Sequence, residues 1–245
     1  MSLHAVKVAD LLTELQPQQQ RVVDKLKASG GLLALHGVGA GKSLASIAAK
    51  ENLDVPAEYV VPAPLQENIK KEFVKHTGEM PDDVRVRSYE KAVRSGDLNL
   101  DGLVVFDEAH RGRNPGTGAA ELQRLARNAK YRLLLTGTGV YNHPQDIAPL
   151  LNAAAGGPRL PQNASQFKNL FVGERELKPG WFDRLRGLEP VKVPVLKNKK
   201  KLVDAAVGYV DVHRSGTGPD FPGREDVEHH VPMSPRQLEL YKYLE

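Results

Sequence analysis

The chain of 245 residues has no cysteine, which excludes disulfides and thiolate chemistry and makes a cytosolic setting the default expectation. No apolar run approaches the roughly 18 residues needed to span a bilayer, and the first residues lack a signal-peptide pattern, so an intracellular protein with no membrane partner is expected. There is no internal repeat and no long low-complexity tract, which argues against a repeat architecture. Neither charge sign dominates: 34 Lys and Arg stand against 30 Asp and Glu, a net charge of +4. So mild a basic excess permits a polyanionic partner without demanding one. With 40% hydrophobic residues the chain can bury a sizeable core, as one large domain or as one domain with an insertion.

What is present is concentrated in residues 31–43, Gly31-Leu32-Leu33-Ala34-Leu35-His36-Gly37-Val38-Gly39-Ala40-Gly41-Lys42-Ser43. A compact apolar run breaks into alternating glycines and ends on Lys-Ser, the pattern of a buried strand feeding a phosphate loop (P-loop). Gly37, Gly39 and Gly41 allow a tight turn, so that backbone N–H groups from Gly37, Val38, Gly39, Ala40 and Gly41 point into a concavity at the start of a helix. Lys42 then reaches the β- and γ-phosphates of ATP, and the Ser43 hydroxyl holds Mg²⁺. One departure stands out: the first glycine of G-x-x-x-x-G-K-[ST] is replaced by His36.

Residues 1–29 read as a helical entry, with Pro17 opening its second helix. Gln19 lies in this entry. An amide both donates and accepts, so Gln19 is either a reader of adenine or a solvated polar residue at a helix start. Beyond the loop, strands are expected at 56–61, 84–88, 102–106 and 131–136, with helices at 65–76 and 118–129 between them. Strands alternating with helices predict an α/β fold with a parallel sheet, whose ligand edge lies at the strand C-termini. From about residue 156 the rhythm changes. Residues 167–188 read as helix interrupted by Lys178-Pro179-Gly180, 215–223 as a loop, 225–231 as a strand, and a helix begins at Ser234. This divides the chain into a core over 1–157, a basic and mostly helical extension over 158–230, and a connector from 231. A chain that ends inside an amphipathic helix reads as a piece of a longer protein.

Asp107 and Glu108 end the apolar strand Gly102-Leu103-Val104-Val105-Phe106. Burying two adjacent acids has no packing benefit. Beside a phosphate loop, Asp107 holds Mg²⁺ through its water shell and Glu108 orients the attacking water. The structural alternative is that Asp107 caps the next helix. His110 could bridge this loop to Thr136 or Thr138, or it could be a packed or solvated histidine. The run Lys197-Asn198-Lys199-Lys200-Lys201 is either a DNA contact or a charged face in solvent.

Together, Gln19, the loop 36–43, Val60-Val61-Pro62-Ala63-Pro64-Leu65, Ser88-Tyr89-Glu90, Asp107-Glu108-Ala109-His110-Arg111 with Asn114-Pro115, and Leu135-Thr136-Gly137-Thr138 with Asn142 resemble the ordered motifs of superfamily 2 helicases. The closest resemblance is to the Swi/Snf-type DEAH branch and its viral and phage relatives, and residues 231–241 are similar to that branch's connector between lobes. The resemblance implies a RecA-like first lobe of an ATP-driven translocase on double-stranded DNA. In that family Gln19 contacts adenine, Thr136 and Thr138 link hydrolysis to movement, and Pro62, Ala63, Pro64, Leu65, Ser88 and Tyr89 line the nucleic-acid track. Gly139 and Tyr141 depart from the branch, which has proline and glutamine there. These motors close ATP between two RecA-like lobes, and the second supplies arginines worth about 10³ to 10⁵ in rate in related phosphate chemistry. The 245 residues alone are therefore expected to bind ATP weakly, hydrolyse it slowly and not translocate. The rival readings are a non-hydrolysing nucleotide-binding lobe with a docking or regulatory role, an RNA helicase, and the motor subunit of a restriction system.

Overall fold

A computed structural model describes residues 11–114, 116–137, 143–177 and 191–214. Helix α1 (Pro17–Ser29) starts where Pro17 has no N–H to lose, and Gly30 stops it in the left-handed region at φ 69°. There follow β1 (Gly31–His36), α2 (Lys42–Leu53), β2 (Ala57–Val61), α3 (Gln66–Thr77), β3 (Val84–Ser88), α4 (Tyr89–Ser95), β4 (Leu103–Asp107), α5 (Gly118–Leu125), β5 (Tyr131–Thr136) and α6 (Ile147–Ala154). The later elements are α7 (Ala164–Phe171), β6 (Val172–Leu177), β7 (Val191–Leu196), α8 (Lys199–Ala206) and β8 (Val210–His213).

Among the described residues the central sheet has six strands in the order β3-β2-β4-β5-β1-β8, every neighbouring pair parallel. Both faces are covered, which is why the inner strands are continuous apolar runs. Alternation along each strand decides which side chain meets which layer. Leu32, Tyr59, Val105 and Leu133 pack with Val22, Leu26, Ile47 and Phe73 on the side of α1, α2 and α3. Leu33, Val60, Val104, Phe106 and Leu134 pack with Ala92, Leu122 and Leu150 on the side of α4, α5 and α6. The strand ends His36, Val61, Ser88, Asp107, Thr136 and His213 consequently share one edge.

The α/β architecture agrees with the sequence reading, and several details differ. Residues 11–16 are not helical. Leu12 N–H donates to His76 O at 2.8 Å and Thr13 Oγ1 lies 2.7 Å from His76 Nδ1, tying this stretch to α3. The helix expected over 167–188 ends at Phe171, and Val172–Leu177 is a strand antiparallel to Val191–Leu196. Its partner is rich in β-branched valine, and the pairing spans a connection that local periodicity does not report. The lysine run is divided between the end of β7 and the first turn of α8. A sixth strand, β8, joins the central sheet from within the stretch read as an extension. Residues 178–190, the loop at 215–223, the strand at 225–231 and the helix from Ser234 lie outside the described residues, as do residues 1–10.

The alternating arginines of β3 reach across to β2, Arg87 mostly buried and Arg85 half exposed. Glu58 on β2 is fully buried and is bonded by Arg85 and Arg87, with Arg87 Nε at 2.7 Å and the Asn99 N–H at 2.8 Å. Arg87 also reaches Asp97 at 2.9 Å.

Candidate functional site

The loop after β1 is left-handed at Gly39 (φ 79°) and Gly41 (φ 73°), a conformation glycine adopts without the penalty of a Cβ. Val38, 87% exposed, stands at its tip. Gly41 precedes the first residue of α2, at the positive end of that helix, but two of the five amides expected to point into the loop are engaged within the protein: Gly37 N–H donates to His213 O at 3.0 Å and Ala40 N–H to Gly37 O at 3.3 Å. Lys42 Nζ donates to the carbonyls of His36 at 3.1 Å and Gly37 at 3.2 Å. Ser43 follows in the first turn of α2. Gln19 is 5% exposed, which removes the reading as a solvated side chain. Its Oε1 accepts from the Gln16 N–H at 2.9 Å, and its Nε2 donates to Gly41 O at 3.5 Å. A Cβ on Gly41 would come within 2.1 Å of Gln19 Nε2. Helix α1 thus closes the floor of the loop.

At the end of β4, Asp107 pairs in register with Leu135 of β5. Glu108 is left-handed (φ 50°), a strained position for a residue that carries a Cβ. The turn is held because the Glu108 N–H donates to Asp107 Oδ1 at 3.0 Å and the Glu108 carbonyl accepts from Arg111 N–H at 3.1 Å. Burial, and then the neighbouring Glu108 charge, push the Asp107 carboxyl above the usual carboxylate range, while Lys42 acts in the opposite sense. Lys42 thus stands within electrostatic reach of Asp107. A Cβ on Gly137, just past β5, would lie 4.0 Å from Lys42 Nζ. His110 Nδ1 is 3.1 Å from Thr136 Oγ1 and 3.2 Å from Glu108 Oε2. Burial lowers the His110 pKa below its ordinary value against the pull of Glu108. The bridge from the acid loop to Thr136 is present, and Thr138, Gly139, Tyr141 and Asn142 lie outside the described residues.

Of the track residues, Ala63 and Pro64 are exposed and Pro62 is partly exposed, just beyond β2. Ser88 and Tyr89 are each only 3% exposed, so their side chains have no surface to offer a track. Ser88 Oγ caps α4 by accepting from the Lys91 N–H at 3.2 Å, and the Tyr89 hydroxyl donates to Asp107 O at 3.0 Å. Lys197, Lys199, Lys200 and Lys201 are exposed.

Sequence reasoning missed the braces. Gln123 is 1% exposed and donates from Nε2 to Ala109 O at 2.7 Å, propping the acid loop from α5. Asp211 on β8 is 2% exposed and binds His36 Nε2 at 2.7 Å, Lys25 Nζ at 2.8 Å and Arg21 Nη2 at 3.2 Å. Burial alone would raise the Asp211 pKa, but bonds from His36, Lys25 and Arg21 hold it well below the carboxylate range. No local signal joins residues so far apart in the chain.

A family described as SNF2-related domain matches residues 66–245, a span that contains the acid pair and not the phosphate loop. A putative ATP-dependent RNA helicase of Acanthamoeba polyphaga mimivirus is 25% identical over 236 residues, covering 94% of this chain and 48% of the relative. The SWI2/SNF2 ATPase core of Sulfolobus solfataricus, solved in complex with dsDNA, matches with a TM-score of 0.66 at 20% identity, covering 98% of this chain and 54% of that one. The latter likeness shows the fold, a RecA-like lobe. The chain spans about half the length of the relatives it matches. Among the described residues no helix is long and apolar enough to cross a membrane. Motif order, sheet topology and a family match over residues 66–245 agree, and the chain belongs to the SNF2-related domain family.

Proposed function

We propose that the chain is the ATP-hydrolysing first lobe of a helicase-like translocase on double-stranded DNA, converting ATP and water to ADP and phosphate. The observation that carries this reading is that the loop after β1 and the acids that end β4 lie at the same edge of the parallel sheet, with Lys42 Nζ beside Gly137 at the end of the intervening β5. Lys42 is positioned to exchange the carbonyls of His36 and Gly37 for phosphate oxygens, with the remaining loop amides holding the same group. Asp107 and Ser43 are the residues that would hold Mg²⁺. A carboxyl whose charge is disfavoured first by burial and then by Glu108 gains from a cation there, and Mg²⁺ takes few protein ligands beside phosphates and water. When bound, Mg²⁺ supplies charge neutralisation on the phosphates. Glu108, held by His110 and with its side chain 37% exposed, is placed to orient a water and accept its proton. Gln19 keeps one N–H and one lone pair beyond its two bonds, enough to meet a base edge. The His110–Thr136 contact carries a change at the acid loop to the end of β5, the coupling role that the family resemblance implies.

Nucleotide titration with a fluorescent ATP analogue tests the site. The 245 residues bind it weakly, and Lys42→Ala lowers the affinity at least about tenfold. Absence of binding in both proteins would remove the phosphate-site reading. Assayed alone the chain turns over slowly, since the family resemblance places arginines on a second lobe. The printed name of the mimiviral relative supports RNA as an alternative polymer. ATPase of the longer protein with duplex DNA, single strands or RNA separates the two, and nucleotide binding without turnover under every condition would mark a docking lobe instead.

The lysine cluster has its own test. Duplex affinity measured against salt loses up to about 0.9 of slope for each phosphate contact removed when Lys197, Lys199, Lys200 and Lys201 become serine. An unchanged slope removes these residues from the interface.

A further inference from the structure

We infer that Asp211 is a positioning residue of the phosphate loop, acting through His36 on the carbonyl cradle that holds Lys42. The inference rests on the nucleotide-site reading above and concerns what sets that site's geometry. Where a glycine would open the loop, this chain has His36, whose ring is fully buried. In the β1–β8 register Ala34 faces Asp211 and His36 faces His213, so the His36–Asp211 bond of 2.7 Å is a diagonal contact between neighbouring strands. Arg21 and Lys25 of α1 close on the same carboxylate from outside, at 3.2 and 2.8 Å. Strand β8 holds the loop a second time, because His213 O accepts from the Gly37 N–H at 3.0 Å.

The consequence falls on Lys42. Its two acceptors are the carbonyls of His36 and Gly37, the residues that β8 restrains by side chain and by backbone. Without the Asp211 carboxylate, Arg21 and Lys25 can return to water, since their side chains are 45% and 40% exposed. His36 cannot, and its ring loses the partner that orients it. The peptide after His36 then turns more freely, and the ammonium group loses its fixed approach to a phosphate. Helix α1 grips the other end of the loop through Gln19, so the loop hangs between an anchor on β8 and one on α1.

The test pairs nucleotide affinity with the thermal midpoint. Asp211→Asn weakens binding of a fluorescent ATP analogue about tenfold. Glu58→Gln, which damages a buried ion network on the far side of the sheet, lowers the midpoint at least as much and leaves affinity within about twofold. In a Lys42→Ala background the Asp211→Asn change has no further effect on affinity, because the residue it acts through is gone. His36→Leu approaches the same link from the other end while leaving Asp211 paired with Arg21 and Lys25, and it reproduces the loss if Asp211→Asn does not fold. Unchanged affinity in Asp211→Asn or His36→Leu overturns the inference, and so does an equal loss of affinity in Glu58→Gln at the same midpoint. If the unsubstituted chain binds no nucleotide, the site reading itself fails and this inference with it. Normal binding by the unsubstituted chain with a silent Asp211 sinks the inference alone.

Discussion

Glu108→Gln lowers ATP turnover by about 10²- to 10⁴-fold, the usual contribution of a positioned general base, while nucleotide affinity stays within about twofold of the unsubstituted protein. The separation follows from the geometry. Glu108 takes its left-handed backbone from bonds made by main-chain atoms and by Asp107, so an amide on its side chain leaves the turn intact. Glutamine preserves length and the approach to His110, and removes the charge and the basic lone pairs that accept a proton. Asp107, the magnesium-holding residue in this reading, is untouched. Nucleotide affinity and single-turnover hydrolysis measured on the 245 residues are the deciding measurements. A turnover within tenfold of the original would assign water activation to another group, and an equal loss of binding would mean that Glu108 holds nucleotide instead.

Glu58→Ala costs about 3 to 5 kcal/mol of stability, because it leaves the largely buried Arg87 without its innermost counter-charge. For a chain of this size that corresponds to a fall of roughly 6 to 20 °C in thermal midpoint. The loss sits at the lower end of the range for identifiable reasons. The Arg85 side chain is 46% exposed and can turn outward, and Arg87 keeps Asp97 at 2.9 Å. What cannot recover is the Asn99 N–H, whose acceptor is Glu58, and the inner part of Arg87, only 14% exposed. Thermal and urea unfolding monitored by circular dichroism decide the matter. A loss below about 1 kcal/mol, the scale of an ordinary surface change, would show that both arginines were already solvated.

The two residues also differ in what the chain announces about them. Glu108 was legible because the chemistry is local: an apolar run, then two acids, then histidine, all within a few residues. Glu58 was not, since nothing about one glutamate in Ala57–Val61 announces that Arg85 and Arg87 will lie beside it. The same division explains Ser88 and Tyr89. Their place in a motif is visible in the chain, but their burial, and the support Tyr89 gives to the Asp107 carbonyl, depend on α4 folding back against β4. Strand β6 was read as helix because its pairing with β7 lies across residues 178–190. The short edge strand β8 went unread for lack of a long apolar run, yet it supplies both the carboxylate and the carbonyl that steady the phosphate loop.

By itself, the sequence determined the strand-and-helix alternation, the glycine positions that permit a phosphate loop and the acids that end β4, because hydrophobic period and backbone permissiveness act between near neighbours in the chain. Only the tertiary structure decided which charges meet. Asp211 finds Arg21, Lys25 and His36, Gln19 closes against Gly41, and His110 reaches Thr136, because parallel pairing in the order β3-β2-β4-β5-β1-β8 brings distant strand ends to one edge. Long-range electrostatic partnership is a property of that order, and local pattern carries no record of it.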